Sequence, residues 1–295
     1  MKKITINRFD LTAMQDTFLA SGLACGFPDG PWPEPELVSY VRNQNPWRGI
    51  TYFTDKLLHL APQIDSDIKV AVLCEPEPFM PSIYKTIKIY ERFYDLIFTY
   101  NDELLKRDPT KYIFSPAMNV AIEQENFKMH DKIKLLSMIY SNKKFLKGHK
   151  LRFAIAEQII PKIGFCDKID LFGTGTKTPL RNKSSGCVDY MFQIAVENEQ
   201  SKNYFTEKLL DCFATGCIPI YWGCSNLEDF FDTRGILTFN TSKELVDTLN
   251  SLDEQKYHSM LEYAKNNFEL AKDYCNPDDK IFSKIKEKIG HKIHV

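Results

Sequence analysis

The chain has 295 residues, 43% hydrophobic, 13% aromatic and 26% charged, globular values that exclude disordered, collagen-like and coiled-coil architectures. Thirty-eight Lys and Arg against 39 Asp and Glu leave a formal charge of -1, which excludes the bulk basic surface of a nucleic-acid-binding protein. The length suits roughly two domains. Eight cysteines form no C-x-x-C pair and several sit in apolar runs, so buried free thiols are expected over disulfides or zinc ligands.

The N-terminal MKKITINRFDLTAMQ alternates polar and apolar residues and lacks the ~7–15-residue apolar stretch of a signal peptide. No apolar run approaches the ~18–20 residues of a membrane span. The chain is therefore expected to be cytoplasmic, and the sequons at Asn182 and Asn240 carry no weight. Residues 1–50 read as irregular because FPDGPWPEPE is crowded with prolines. Regular structure is predicted from KVAVLC (69–74), a buried strand, through a helix at 82–93 to strands at 94–100 and 111–116. The polar stretch 122–132 is a candidate linker. A second series follows: strand 135–141, helix 147–160, strand 168–173 and strand 191–197. Helix 206–216, with Thr206 as N-cap and Gly216 past its end, leads to strands 218–223 and 235–240 and two further helices. Two β/α series without an internal repeat predict an α/β protein of two Rossmann-like domains facing across a cleft, with ligands at the carboxyl ends of strands. The expected domains are 1–128, 129–275 and a basic amphipathic helix at 276–295.

Chemistry concentrates in FQIAVENEQSKNYFTEKLLDCFATGCIPIYWG (192–223). A strand delivers Glu197 and Asn198 to its carboxyl end, and a helix opens at Thr206, Glu207 and Lys208. A helix N-terminus with unpaired amides suits a phosphate. Lys208 adds a cation where the macrodipole favours an acid, which has a poor structural rationale and a good anion-binding one. Glu207 is placed to accept from sugar or ribose hydroxyls. A capped helix with a solvated Glu–Lys pair is the plainer alternative.

This segment resembles the donor-binding motif of family 10 glycosyltransferases, the α-1,3/α-1,4-fucosyltransferases. The resemblance rests on Glu197-Asn198, Tyr204, Thr206-Glu207-Lys208-Leu209, Gly216, Pro219 and Tyr221-Trp222-Gly223. It implies a GT-B fold, a GDP-sugar donor (GDP-fucose), an inverting transfer to a glycan acceptor, and donor contacts from Asn198, Tyr204, Glu207 and Lys208. IYSNKKFLKGHKLRFAI resembles the family's element in which an arginine meets the diphosphate, which puts Arg152 in that role; Arg suits bidentate phosphate binding. Arg152 and Lys208 would then neutralise the leaving GDP without an essential divalent metal, and no cofactor is expected. KIDLFGTGT resembles a strand-to-glycine element in which Gly173 lets backbone approach the donor.

An inverting transfer needs a carboxylate to take the acceptor proton. By resemblance it follows an N-terminal-domain strand, and VAVLCEPEP offers Glu75, with Glu77 as the fallback. Asp65-Ser66-Asp67 has the D-x-D form of a metal motif but precedes a strand, so a turn is favoured, and the histidines show no metal-site spacing. Trp32 and Trp47 are either a stacking platform for an acceptor sugar or packing. In the tail, Ile281, Ile285, Ile289 and Ile293 recur at four-residue steps among lysines. That helix either touches an anionic membrane surface peripherally or packs against the N-terminal domain. Another nucleotide sugar, a binding protein that has lost turnover, and an NAD-dependent oxidoreductase are the competing functions. The oxidoreductase lacks its complete glycine fingerprint.

Overall fold

The computed structural model describes residues 3–9, 35–117, 119–174, 176–178, 180 and 182–293. The chain divides into two compact units, Met1–Asn119 with Asn276–Val295, and Val120–Cys275. Residues 120–128, assigned on sequence to the N-terminal domain, thus belong to the second unit, and the C-terminal helix belongs to the first.

The first unit contains β1 (Ile4–Phe9), β2 (Val38–Arg42), β3 (Trp47–Thr54), β4 (Ser66–Val72), β5 (Leu96–Thr99) and β6 (Tyr112–Phe114), with α1 (Pro81–Tyr90) and α2 (Asp102–Arg107). Its sheet has the order β2-β1-β3-β4-β5-β6, with every pairing parallel. Successive side chains leave a strand on opposite faces. Val70, Val72, Leu96 and Phe98 therefore pack into one core, while Ala71, Leu73 and Ile97 meet Ile83, Tyr84 and Ile87 of α1 in another. Burial on both faces is why β4 reads as an unbroken apolar run.

The expectation of an irregular 1–50 is corrected by β1, β2 and the start of β3. These strands escape an apolar-run reading because they bury polar residues in mutual hydrogen bonds. Asn7 donates to Thr51 Oγ1 at 3.3 Å and to the Gln44 carbonyl at 2.8 Å, and Thr51 meets Ser66 at 2.7 Å. Trp47 opens β3, half-buried, whereas Trp32 and Cys25 lie outside the described residues.

The second unit contains β7 (Lys134–Ile139), α3 (Lys147–Ala154), a π turn (Ile155–Ile159), α4 (Ile160–Lys162), β8 (Ile169–Phe172) and β9 (Tyr190–Val196). After these come α5 (Glu207–Thr215), β10 (Ile218–Trp222), β11 (Leu237–Thr238), α6 (Ser242–Asn250) and α7 (Glu254–Ala271). Pro161 has no amide to bond back along the helix and its ring crowds the preceding turn, a physical reason for the opened ladder just ahead of it. The parallel sheet runs β11-β10-β9-β7-β8, so strand order reverses between β7 and β9. Leu136, Met138, Phe192, Ile194, Ile218 and Ile220 form its core against α6 and α7. Residues of the proposed linker are built into this unit, since Asn126 Nδ2 donates to Ser184 Oγ at 3.1 Å and Lys132 Nζ to the Thr215 carbonyl at 2.7 Å.

The final helix, α8 (Pro277–Ile289), buries Ile281, Phe282, Ile285 and Ile289 in the first unit's core. Asp279 accepts from the Glu36 and Leu37 amides at 2.8 and 2.9 Å, pinning the helix beside β2. Packing therefore takes up the apolar stripe that a membrane surface would need. No helix among the described residues is long and apolar enough to cross a membrane. The seven described cysteines are free thiols; Cys187, Cys212, Cys217 and Cys224 are buried and Cys166 is exposed. Asp65 and Asp67 both engage Arg48, at 2.8 and 3.4 Å, with Ser66 between them opening β4.

Candidate functional site

In open parallel sheets ligands sit at the carboxyl ends of strands where strand order reverses. In the second unit that place is formed by the loops after β7 and β9, and Arg152, Asn198, Glu207 and Lys208 converge there. Two backbones meet first: the Gly148 amide donates to the Asn198 carbonyl at 3.1 Å. A Cβ on Gly148 would stand 1.7 Å from the Glu197 carbonyl oxygen, so only glycine lets α3 begin against this loop. Arg152, one turn into α3, is buried at 6% exposure. It donates to the Val196 carbonyl and, at 2.8 Å, to Asn198 Oδ1. Burial lowers its pKa, opposed by the nearby charges of Glu197 and Glu207. His149 accepts from the Leu146 amide at 3.3 Å and is held neutral, its pKa pushed down to about 4 by burial and then by Arg152, Lys143 and Lys208.

At the start of α5 the N-cap Thr206 meets a buried carboxylate that the sequence did not place there, that of Glu197, which has no exposed surface. Thr206 donates to it twice, from its amide at 2.8 Å and from its hydroxyl at 2.7 Å. Burial raises the Glu197 pKa, opposed chiefly by Lys208. Lys208 Nζ lies 3.7 Å from Glu197, 2.9 Å from Glu207 and 3.1 Å from Thr206 Oγ1, with 26% of its side chain exposed. It is thus neither a solvated surface lysine nor a lone cation; it is the exposed end of a buried charge network. Glu207 is held between Lys208 and Lys183, the latter at 3.5 Å. Burial pushes its pKa up, but the two lysines outweigh that and keep the carboxylate ionised. One turn further, burial lifts Asp211 to about 7 against the pull of Lys183.

Two further assigned donor residues, Tyr204 and Gly173, are closely packed. Tyr204 is 1% exposed, its ring in the core rather than on an open surface. Gly173 has φ +107°, and a Cβ there would stand 2.3 Å from the Tyr140 carbonyl oxygen, so its own neighbouring backbone already requires glycine. Lys183, Asp211 and the role of Glu197 were not foreseen. Lys183 lies in a loop just ahead of the motif segment, and nothing in its local sequence marks it as the partner of α5. A further cavity of ≈ 280 Å³ opens at the carboxyl ends of β10 and β11, lined by residues including Trp222, Ser225, Glu228, Thr238 and Asn240.

In the first unit Glu75 follows β4, half-buried, and its carbonyl accepts the Tyr84 hydroxyl at 2.8 Å. Glu77 receives Asn101 Nδ2 at 3.4 Å. Asp55, missed on sequence, has φ +39° and accepts the Cys74 amide at 3.1 Å, fixing the loop that carries Glu75. Burial raises its pKa, opposed by the amides of Cys74 and Glu75. Among the described residues no group of three or more His, Cys, Asp and Glu is arranged to hold a metal.

Residues 129–285, more than half of the chain, match the family profile described as glycosyltransferase family 10 (fucosyltransferase), C-terminal part. The chain belongs to glycosyltransferase family 10. Among related proteins, an α-(1,3)-fucosyltransferase of Helicobacter pylori is 30% identical over 80 residues, 26% of this chain and 17% of the relative. An α-(1,4)-fucosyltransferase of Arabidopsis thaliana is 32% identical over 78 residues, 24% of this chain and 20% of the relative. The matches thus span a fifth or less of these relatives' lengths. The crystal structure of an α1,3-fucosyltransferase with GDP-fucose aligns at a TM-score of 0.55 and 13% identity, covering 97% of this chain and 90% of that one. At such identity the likeness shows the fold alone, and the family 10 chain has an α/β, GT-B-like fold.

Proposed function

We propose that this family 10 chain transfers L-fucose from GDP-fucose to a hydroxyl of a glycan, with inversion at the anomeric carbon. The observation that carries the proposal is the meeting of Arg152, Asn198 and Lys208 at the point of strand reversal in the second unit. As the bond from the sugar to GDP breaks, charge builds on the diphosphate, and fixed cations in a partly dry site stabilise it far better than water does. Arg152 and Lys208 supply that charge, so no metal ion is required. Glu75 takes the proton from the attacking hydroxyl as the acceptor oxygen bonds to the anomeric carbon. Glu207 stays ionised and is suited to accept from donor hydroxyls. The protein acts in the cytoplasm.

A related reading keeps the chemistry and changes the sugar, because Arg152 and Lys208 address the nucleotide rather than the hexose. Incubation with a panel of GDP- and UDP-sugars and glycan acceptors, with and without EDTA, separates the two. Fucosylated product with inverted anomeric configuration, unaffected by EDTA, supports the proposal. Turnover confined to a different nucleotide sugar favours the related reading, and donor binding without turnover favours a binding protein.

A further inference from the structure

The most thoroughly built feature of the second unit is a residue with no role in the scheme above. Glu197 ends β9 with a carboxylate wholly out of solvent, an arrangement that costs several kcal/mol unless the charge is paired and hydrogen-bonded. Both of its oxygens are provided for. Oε1 accepts the Thr206 amide at 2.8 Å and lies 3.4 Å from the Tyr221 hydroxyl, which itself accepts the Cys224 amide at 3.1 Å. Oε2 accepts the Thr206 hydroxyl at 2.7 Å and lies 3.7 Å from Lys208 Nζ. The surrounding backbone has been cleared for it as well. A Cβ on Gly223 would come within 2.4 Å of Glu197 Cγ, and a Cβ on Gly148 within 1.7 Å of its carbonyl oxygen. Strand, loop, helix cap and Gly223 therefore converge on one buried charge, while Gly148 makes room for the Glu197 backbone.

We infer that Glu197 is a positioning residue for nucleoside-diphosphate binding: its buried carboxylate fixes the Lys208 ammonium at the start of α5. Lysine in the first turn of a helix opposes the macrodipole, so the ammonium needs an opposing anion there. Glu207 lies 2.9 Å from the ammonium, the Thr206 hydroxyl 3.1 Å and Glu197 Oε2 3.7 Å, so three groups share its placement. This inference rests on the reading that Lys208 binds the donor diphosphate.

A double-mutant cycle on the full chain tests it, with GDP as the probe in calorimetry and thermal unfolding recorded for each variant. Lys208→Met is expected to weaken GDP about tenfold or more. Glu197→Gln, nearly isosteric and uncharged, is expected to weaken GDP about tenfold with Lys208 intact. The pair is expected to bind no more weakly than Lys208→Met alone, because interacting residues are non-additive. Losses that add, unchanged affinity in Glu197→Gln, or tighter binding from removing a negative charge each overturn the inference. If Lys208→Met leaves GDP binding unaltered, the donor reading fails instead. Should Glu197→Gln not fold, Thr206→Ala serves: it removes the hydroxyl that bridges Glu197 and Lys208, and is expected to weaken GDP in a Lys208-dependent way that Thr206→Ser restores. Additive loss in the Thr206→Ala cycle contradicts the inference equally.

Discussion

At the residue scale, Arg152 and Lys208 differ in how they hold their charge. Arg152 is buried and shares its guanidinium with the Val196 carbonyl and Asn198, whereas Lys208 keeps 26% of its side chain exposed between two carboxylates. Removing Lys208 as Lys208→Ala is expected to weaken GDP binding by about 2–3 kcal/mol, the range for a charge-assisted hydrogen bond, as read by calorimetry. Arg152→Lys retains a positive charge but not the planar fork, and is expected to lose Asn198 contact and GDP affinity together. Glu75→Gln is expected to leave GDP-fucose binding intact and cut transfer by about a hundredfold to ten-thousandfold in a steady-state assay. Equal transfer by variant and wild type would remove Glu75 from the reaction.

At the element scale, the strand–turn–helix unit of β9 and α5 was the most legible part of the molecule. Thr206 caps α5, and Gly216 ends it at φ +73°, as the sequence predicted. The apolar runs of β4, β5, β7 and β10 were readable because a two-sided parallel sheet needs largely apolar strands. Strands β1 and β3 were hidden by their buried Asn7 and Thr51, which register only through partners distant in sequence. The contact of Glu197 with the Thr206 cap was hidden for the same reason, since a motif shows which residues are present but not which of them face each other. The tail offered two readings, and burial of its isoleucines in the first unit's core decides for packing. Ile285 is fully buried, and Ile285→Ala is expected to destabilise the protein by about 2–5 kcal/mol through lost burial and the cavity left behind. An unchanged denaturation midpoint would show that α8 contributes little to the first unit.

At the scale of the whole molecule, each unit is a parallel sheet whose strand order reverses once, and the candidate donor residues gather at the reversal in the second. The charge balance there is close. Arg152, Lys208 and Lys183 face Glu197, Glu207 and Asp211, and Asp211 titrates near 7 because burial raises it. Its folded pKa stands above the unfolded value of about 3.9, so the associated stability is present at low pH and is lost as pH rises through about 7. Asp211→Asn removes that dependence. Its melting temperature relative to wild type is expected to increase from pH 5 to pH 8 in thermal unfolding scans, whereas a constant difference would show that Asp211 does not titrate in that range.

The location of GDP in a crystal structure of the complex bears on all of this at once. The diphosphate is predicted within hydrogen-bonding distance of Arg152 and Lys208, beside the start of α5. A diphosphate held elsewhere, for instance in the cavity at the ends of β10 and β11 with Lys208 still paired only to Glu197 and Glu207, would contradict the account.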